Sequence, residues 1–437
     1  MMKYVLDKMF ELAGSRADNY LTFKKLDPMY RLGFKNKEIK MVSDHKKMAK
    51  EIERLFPGNA KGFYRYIKNE AMKFKHLAPC LERPYLSFFD LIDDPFLKAM
   101  PYLELHRTVY QSLSRYFNDE LLKLCFTFQS KYLGMSAWEC PAAFSMIAYV
   151  EHEFGIYHVT GGLNRISEAM ARVAEEKGAK IHLKTKVEKI TNSGKKVTGI
   201  VLSDGTKIEA DYVIVNADFS HAVLNLMDPQ FTKKYSPARL SKKKYSCSTF
   251  MLYLCVDKVY DIPHHNIFFA EKYRENVDDI FKNLKLSDEI SFYIQNPSLI
   301  DETLAPKGCS TIYVLEPVPN LRAGIDWKKE KIPFREKVIK AIETRTELND
   351  IREHIISEAI ITPEDWQNDY NVYIGATFDL GHNIPQMLYF RPPNKFECFD
   401  NMYLVGGGTH PGSGLPTIYE SGKITANLIT EAENDKL

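Results

Sequence analysis

The feature that most constrains this chain is a strand that runs into three glycines and then into a helix near the C-terminus. Residues Met402–Val405 are predicted to form a buried strand, GGGTHPG follows at 406–412, and a helix is predicted over about 417–431. Glycines let a ligand approach the backbone, and a helix start offers free N–H groups and a positive dipole end. The unit therefore favours a phosphate or another anion, although a tight strand-to-helix turn explains it equally well.

A second stretch, from Gly155 to Asp218, alternates helix and strand signals. Apolar residues at helical spacing predict a helix over 163–176, and Gly178 ends it. Strands are predicted at 180–183, 187–190, 197–202, 208–211 and 212–218. The last of these ends in Asn-Ala-Asp, which faces either a ligand crevice or solvent. Together with the C-terminal unit, this stretch predicts an α/β fold.

The rest of the chain divides into two regions. Residues 1–155 carry helical spacing and many aromatic side chains, whereas residues 219–395 mix strand and helix signals. Aromatic residues make up 12% of the chain, which indicates either a packed core or an apolar ligand site. For any single aromatic, such as Phe63, core packing is the better interpretation.

Composition excludes several classes of function. The formal net charge of +2 gives no electrostatic case for nucleic-acid binding. The seven cysteines lack CxxC spacing, so no metal site is predicted, and reduced thiols indicate the cytoplasm. The longest apolar run, at 140–150, is far shorter than the about 18 residues that a membrane span needs. A soluble protein or one bound to a membrane surface is expected.

Several segments together resemble the phytoene desaturase family of FAD-dependent carotenoid desaturases. The match rests on GIYHVTGG at 155–162, DGTKIEADYVIVNAD at 204–218, RPPN at 391–394 and NMYLVGGGTHPGSGLP at 401–416. Their order and spacing fit from residue 3 to the end of the chain. The THPG-x-G-x-P run is the most specific of these segments among flavoproteins.

The resemblance implies a two-lobed α/β fold of FAD-dependent oxidoreductases, with a Rossmann-like FAD lobe and a substrate lobe of mixed sheet and helices. It implies four segments: a helical, membrane-facing substrate region at 1–155, an FAD-lobe segment with a β-meander at 156–218, a substrate domain at 219–395, and the C-terminal FAD-lobe unit at 396–437. The protein would be cytoplasmic and peripherally membrane-associated.

The resemblance also implies FAD as the cofactor and a long isoprenoid hydrocarbon, such as phytoene, as the substrate. The reaction would be desaturation, in which a hydride passes to flavin N5; the alternative is carotenoid cis-trans isomerisation. The FAD-binding residues would be Val187 at the adenine, Gly408 and Thr409 near the ribityl and pyrophosphate, and Pro416, Thr417 and Ile418 at the flavin pyrimidine edge.

No base for the reaction is identified from the sequence. Glu151 and His152, just before the Gly161-Gly162 pair, are candidates, but a solvated helix end is the favoured interpretation of both. No metal ligands are expected.

The chain departs from the family pattern in one respect. It has no opening βαβ unit with G-x-G-x-x-G, so the FAD lobe is expected to be incomplete, and strand 402–405 is expected to have an open edge. A separate chain that supplies this unit is one expected partner. The alternative is an inactive fragment that does not bind FAD.

Overall fold

The computed structural model describes residues 2–435, which contain fourteen strands and fifteen α-helices. The strands are β1 Phe23–Lys25, β2 Tyr30–Phe34, β3 Lys37–Met41, β4 Tyr157–Val159, β5 Val187–Ser193, β6 Lys196–Leu202, β7 Lys207–Glu209, β8 Val213–Val215, β9 Ser248–Val256, β10 His265–Phe268, β11 Phe292–Gln295, β12 Ser310–Val318, β13 Ile355–Ile361 and β14 Met402–Leu404. The helices are α1 Lys3–Leu12, α2 His45–Leu55, α3 Ala60–Leu81, α4 Asp94–Ala99, α5 Val109–Leu113, α6 Glu120–Cys125, α7 Met146–Phe154, α8 Asn164–Glu176, α9 Phe219–Asn225, α10 Pro237–Leu240, α11 Tyr273–Asp278, α12 Trp327–Arg345, α13 Ile351–His354, α14 Pro363–Asn368 and α15 Leu415–Asn434.

A seven-stranded mixed sheet organises most of the molecule, in the order β13-β9-β12-β11-β10-β2-β3. The sheet has two different faces. Along β12, for example, fully buried residues alternate with half-buried ones. The buried face packs against α12, where Phe250, Ile312 and Val314 meet Trp327 and Phe334. One face of the sheet is therefore closed by a helix.

At the β2–β3 end, the opposite face packs on helices of the first 155 residues. Tyr30 and Leu32 lie in one core with Phe63, Tyr66 and Phe126. The sequence predicted helices here, and α2, α3 and α6 are present. It missed the β2–β3 hairpin, whose alternating residues pair Tyr30 with Met41 and extend the large sheet. The first 155 residues are thus not wholly helical.

The β-meander is present as β5-β6-β7, and β8 pairs in parallel with β14. Residues 180–183, predicted as a strand, lie outside the strands of the described structure, and Leu183 is 82% exposed. An extended segment without a neighbour for its backbone hydrogen bonds does not form a sheet. Helix α8 is at the predicted position, and the C-terminal helix begins at Leu415, slightly earlier than predicted.

The open edge of the small parallel sheet is not where the sequence placed it. The outer side of β14 is covered, since Lys395 bridges to Tyr403 and Leu404 donates its N–H to the carbonyl of Asn394. Within residues 2–435, no strand other than β14 pairs with β8, and its central Ile214 is 51% exposed. The unpaired edge therefore belongs to β8.

Candidate functional site

The glycine segment 406–414 leads directly from β14 into α15. Gly406, Gly412 and Gly414 have φ angles of 102°, 130° and 117°, which side chains with a Cβ rarely adopt. Gly414 precedes α15, and no side-chain hydrogen bond caps the start of this helix. The first-turn N–H groups and the positive dipole end are therefore available to an anion or a polar ligand edge.

A buried arginine holds the glycine segment in shape. Arg391 is 1% exposed, and its guanidinium donates to the carbonyl oxygens of Thr409 (3.1 Å), Leu380 (3.1 Å) and Gly407 (2.5 Å). Asn394 of the same RPPN motif donates to the carbonyl of His410 at 3.0 Å. Desolvation lowers the pKa of Arg391 to about 10, so it is still a cation at neutral pH. The RPPN motif therefore fixes the conformation of the glycine segment, a role that its sequence alone did not reveal.

The structure places the C-terminal predicted site residues on this segment and the first turn of α15. A Cβ at Gly408 would overlap the Asp379 carboxylate and the Phe219 side chain, so only glycine fits there. Thr409 is buried, and its hydroxyl donates to the Pro392 carbonyl at 2.5 Å, which leaves only its backbone for a ligand. The remaining three, at 416–418, are half-buried in α15.

Val187 opens β5 and pairs with Leu202. The meander is joined to the small parallel sheet through Asn401, which donates to the Val197 carbonyl at 2.8 Å and accepts from the Val197 N–H at 2.7 Å. Ile190 of β5 shares a core with residues of β8 and β14. All six predicted cofactor residues thus belong to one lobe, which is formed by the meander, the small parallel sheet and α15.

Two carboxyl groups beside the glycine segment, those of Asp218 and Asp379, act on each other. Asp379 accepts from the N–H of Leu380 (2.6 Å) and Phe219 (3.3 Å), while Asp218 accepts from the N–H of His221 (2.8 Å). Burial and, as a smaller effect, the charge of Asp379 raise the pKa of Asp218 to about 8. Burial also raises the pKa of Asp379. Desolvation and mutual repulsion therefore favour retention of a proton by the pair at neutral pH.

A histidine that the sequence did not single out lies against the same segment. His382 is buried, and its Nε2 accepts from the Ser413 N–H at 3.1 Å. Burial lowers its pKa well below the usual value, so the neutral ring carries its proton on Nδ1. Nδ1 has no hydrogen-bond partner in the described structure. A buried, unused donor beside an uncapped helix start fits a ligand with acceptor atoms, as a flavin has.

A second surface lies on the large sheet, on the face opposite α12. Its strand register places Tyr253, Ile267, Tyr293, Tyr313 and Leu315 side by side on this face, which we call the sheet floor. Four of these side chains are half-buried, and Tyr253 is exposed. The Tyr313 ring lies 5.2 Å from that of Tyr253 and 5.9 Å from that of Tyr293. The sheet floor is an apolar, aromatic surface.

This surface changes the interpretation of the aromatic residues. The N-terminal aromatics Phe63 and Tyr66 are fully buried in a packed core. The aromatics that line the sheet floor come instead from β9, β11 and β12. The alternation along β12 was the available signal, but it gave no information about which face was left uncovered.

The two candidate bases are not at a solvated helix end, so that interpretation was wrong. Both are buried in α7, Glu151 at 0% and His152 at 2% exposure. His152 Nδ1 donates to the Val42 carbonyl at 2.9 Å, and burial lowers its pKa to about 4. Burial raises the pKa of Glu151 to about 7, although hydrogen bonds from Gln129 and Tyr30 and the nearby phenol of Tyr132 oppose the rise. His152 is a neutral structural contact, whereas Glu151 titrates near neutrality.

A profile of the flavin containing amine oxidoreductase family matches residues 7–430. The chain is 49% identical over 431 residues to the 4,4'-diapophytoene desaturase (4,4'-diapolycopene-forming) of a Methylomonas species, covering 99% of this chain and 84% of that protein. It is 33% identical to the zeta-carotene-forming phytoene desaturase of Myxococcus xanthus, covering 99% and 82%. The solved structure of cyclohexylamine oxidase from Brevibacterium oxydans is similar in fold, with a TM-score of 0.54 and 10% identity over 98% of this chain and 85% of that one.

The fold and the glycine segment define a flavin-dependent oxidoreductase with FAD as its cofactor. The chain belongs to the flavin containing amine oxidoreductase family and, within it, to the phytoene desaturases, which confirms the family predicted from the motifs. Among residues 2–435, no helix is both long and apolar enough to cross a membrane.

Proposed function

We propose that this protein catalyses the FAD-dependent desaturation of a long isoprenoid hydrocarbon, such as phytoene or its 4,4'-diapo relative. The observation that carries the proposal is 49% identity to a 4,4'-diapophytoene desaturase over nearly the whole chain. Isomerisation is not favoured, because the two relatives named above are desaturases by name. The sheet floor supports the same conclusion, since a hydrocarbon needs a long, dry, apolar surface.

The sheet floor binds and orients the substrate in this proposal. It crosses four strands, β10, β11, β12 and β9, and therefore spans about 14 Å at the usual strand spacing. Its tyrosine rings offer flat apolar faces to a polyene and exclude water from the reacting carbons. No nucleophile is required, because bound FAD supplies the chemistry by accepting a hydride at N5.

The cofactor would be held by residues of the β-meander, the glycine segment and the start of α15. The backbone at Gly408 and Thr409 would hold the ribityl and pyrophosphate, and the backbone of Val187 would hold the adenine. Pro416, Thr417 and Ile418 would place the start of α15 at the flavin pyrimidine edge, where its positive dipole end would stabilise the negative charge of a reduced flavin. Support for this comes from the uncapped helix start and the unused Nδ1 of His382.

A βαβ dinucleotide-binding unit pairs with the open edge of β8 and completes the cofactor lobe. An unpaired edge presents a row of free N–H and C=O groups to another strand. Ile214, in the centre of β8, is 51% exposed, so the strand presents apolar surface that such a unit would cover. This unit belongs to the same polypeptide or to a separate chain, and both arrangements are compatible with the open edge.

The proposed function predicts flavin uptake and a defined product. The chain supplied with a βαβ unit, in cis or by co-expression, should purify with FAD and convert phytoene or 4,4'-diapophytoene into products with more conjugated double bonds. Flavin absorbance and chromatography of the pigments measure the two outcomes separately. A cis-lycopene substrate serves as the control for isomerase activity. Flavin uptake without any newly formed double bond would overturn the desaturase assignment.

We further propose that the protein binds a membrane surface through an apolar patch, defined by Phe88, Phe89, Ile92, Tyr389 and Phe390. Each of these side chains is at least 36% exposed, and Phe89 reaches 75%. Phe88 and Tyr389 are in ring contact at 6.0 Å, so the two segments form one surface. Clustered exposed aromatics are typical of an interaction site, and a lipid surface also stores the substrate.

Replacing both Phe88 and Phe89 by serine should weaken binding to phospholipid vesicles by about 100-fold, because about 3 kcal/mol of apolar burial is lost. Co-flotation with vesicles measures the effect. The matched control replaces two exposed isoleucines elsewhere, Ile332 and Ile356, by serine. Equal flotation of both double variants would contradict the assignment of the patch.

A further inference from the structure

Glu151 is an unusual carboxyl group for a protein interior. It lies on α7, fully buried, and its Oε2 accepts from the Tyr30 hydroxyl at 2.8 Å and from Gln129 Nε2 at 2.9 Å. Its second oxygen, Oε1, has no partner in the described structure, nor does Oε1 of Gln129. Half of this carboxyl group is thus available to a proton or a donor.

Among residues 2–435, no lysine, arginine or histidine side chain forms an ion pair with Glu151. The groups that act on it are the side chains of Tyr30 on β2, Gln129 and Tyr132 on the segment after α6, and Tyr66 on α3. Glu70, another buried carboxyl of the same region, forms an ion pair with Lys73 at 3.1 Å. Burying an unpaired carboxylate is costly, and a glutamine would be cheaper at this position. The carboxyl therefore points to a function that needs a titrating group.

Tyr132 connects Glu151 to the sheet floor. Its phenol favours the charged form of Glu151. Burial and the charge of Glu151 raise the pKa of Tyr132, and the neighbouring phenol of Tyr293 adds a smaller rise. Tyr293 belongs to the sheet floor, and Tyr132 is 37% exposed. Tyr132 thus stands between a buried acceptor and the surface on which we place the hydrocarbon.

We propose that Glu151 is the internal acceptor for the proton that desaturation releases, reached through the phenol of Tyr132; this inference rests on the proposed function. One C–H bond of the substrate gives its hydrogen and both electrons to FAD. The vicinal C–H proton passes to the Tyr132 oxygen, while the Tyr132 O–H proton passes to the Glu151 carboxylate. The electron pair of that second C–H bond becomes the new bond of the alkene. A group that titrates near neutrality is well suited to accept a proton and later release it.

The first test needs neither flavin nor substrate. Infrared difference spectra over a pH titration should show one carboxyl band that disappears near pH 7 in the wild type and is missing in Glu151→Gln. Glu316→Gln is the matched control, because Glu316 is also a fully buried carboxyl but lies on the α12 side of the sheet. Burial raises the pKa of Glu316 well above its usual value, and Glu316→Gln should leave the Glu151 band in place.

The pH dependence of the free energy of unfolding is a second readout for the titration of Glu151. Between about pH 4.5 and pH 7 the folded protein holds a proton on Glu151 that the unfolded chain has lost, so stability falls as the pH rises through this window. Glu151→Gln should remove this slope from the free energy of unfolding. An unchanged slope would mean that Glu151 does not titrate there, which would overturn the proposal.

The third test is a single turnover with the FAD-loaded protein. Flavin reduction by substrate should accelerate in the wild type as the pH rises through 7, and Glu151→Gln should be at least 100-fold slower without this pH step. Tyr132→Phe should slow reduction similarly while the carboxyl band is retained. Reduction by Glu151→Gln at the wild-type rate would overturn the proposal. If the wild type itself is not reduced, the proposed function fails, and the infrared result still stands by itself.

Discussion

Replacing Arg391 by lysine should abolish stable flavin binding and destabilise the fold by about 2–4 kcal/mol. The planar guanidinium donates to three separate backbone carbonyls around the glycine segment. The ammonium of a lysine is a single compact group and cannot reach all three. Each buried carbonyl left without a donor costs about 1–3 kcal/mol. Because two of these carbonyls, those of Gly407 and Thr409, belong to the segment that we assign to FAD, flavin occupancy should fall together with stability.

Urea unfolding and flavin absorbance of the FAD-loaded protein measure the two effects. The matched control is Arg345→Lys, since Arg345 also donates to buried carbonyls, those of Ile290 (2.7 Å) and Phe269 (2.6 Å), but lies in the other lobe. This variant should be destabilised yet should keep its flavin. If Arg391→Lys retains full flavin occupancy, Arg391 does not hold the glycine segment in the conformation that FAD binding requires.

Replacing Gly62 by alanine should destabilise the protein by about 2–3 kcal/mol, although alanine is the better helix former. Gly62 lies in α3, and a Cβ there would overlap the carbonyl oxygen of Tyr116 and contact the Phe117 ring. Backbone atoms cannot rotate away as a side chain can, so the helix and the 116–117 segment must separate. The shift in the urea midpoint measures the effect.

The same substitution at Gly422 should have the opposite sign. Gly422 lies within α15, and a Cβ there would have no neighbour within 4 Å. Gly422→Ala should therefore stabilise the protein by about 0.5–1 kcal/mol through helix propensity and a less flexible unfolded chain. Two changes of the same sign would contradict the packing argument at Gly62.

The segments that the sequence predicted correctly are those whose partners are near in the chain. Helix α8, with Gly178 just beyond it, and the meander β5-β6-β7 follow from local periodicity and turn residues. The strand–glycine–helix unit at 402–434 is likewise local, and its motif indicated the family. The assignment of FAD contacts to Val187 and to residues 408–418 stays a prediction.

Other features depended on contacts between residues distant in sequence. The β2–β3 hairpin joins the large sheet only because β2 pairs in parallel with β10, more than two hundred residues later. The strand predicted at 180–183 does not form because no neighbouring strand is present among the described residues to accept its hydrogen bonds. Periodicity reports whether a side chain is buried, but it does not identify the partner strand.

By itself, the sequence determined the fold class, because glycine spacing, turn residues and apolar alternation are local properties of the chain, and the resemblance of its motifs implied the family and its flavin chemistry. Only the tertiary structure decided that Arg391 holds the glycine segment, that Glu151 is buried beside Tyr30, and that the tyrosines of the sheet floor are left partly exposed. The physical reason is that desolvation and hydrogen bonding depend on which distant segments come together. The same residue type, a glutamate near a helix end, is a solvated charge in one packing and a titrating acceptor in another.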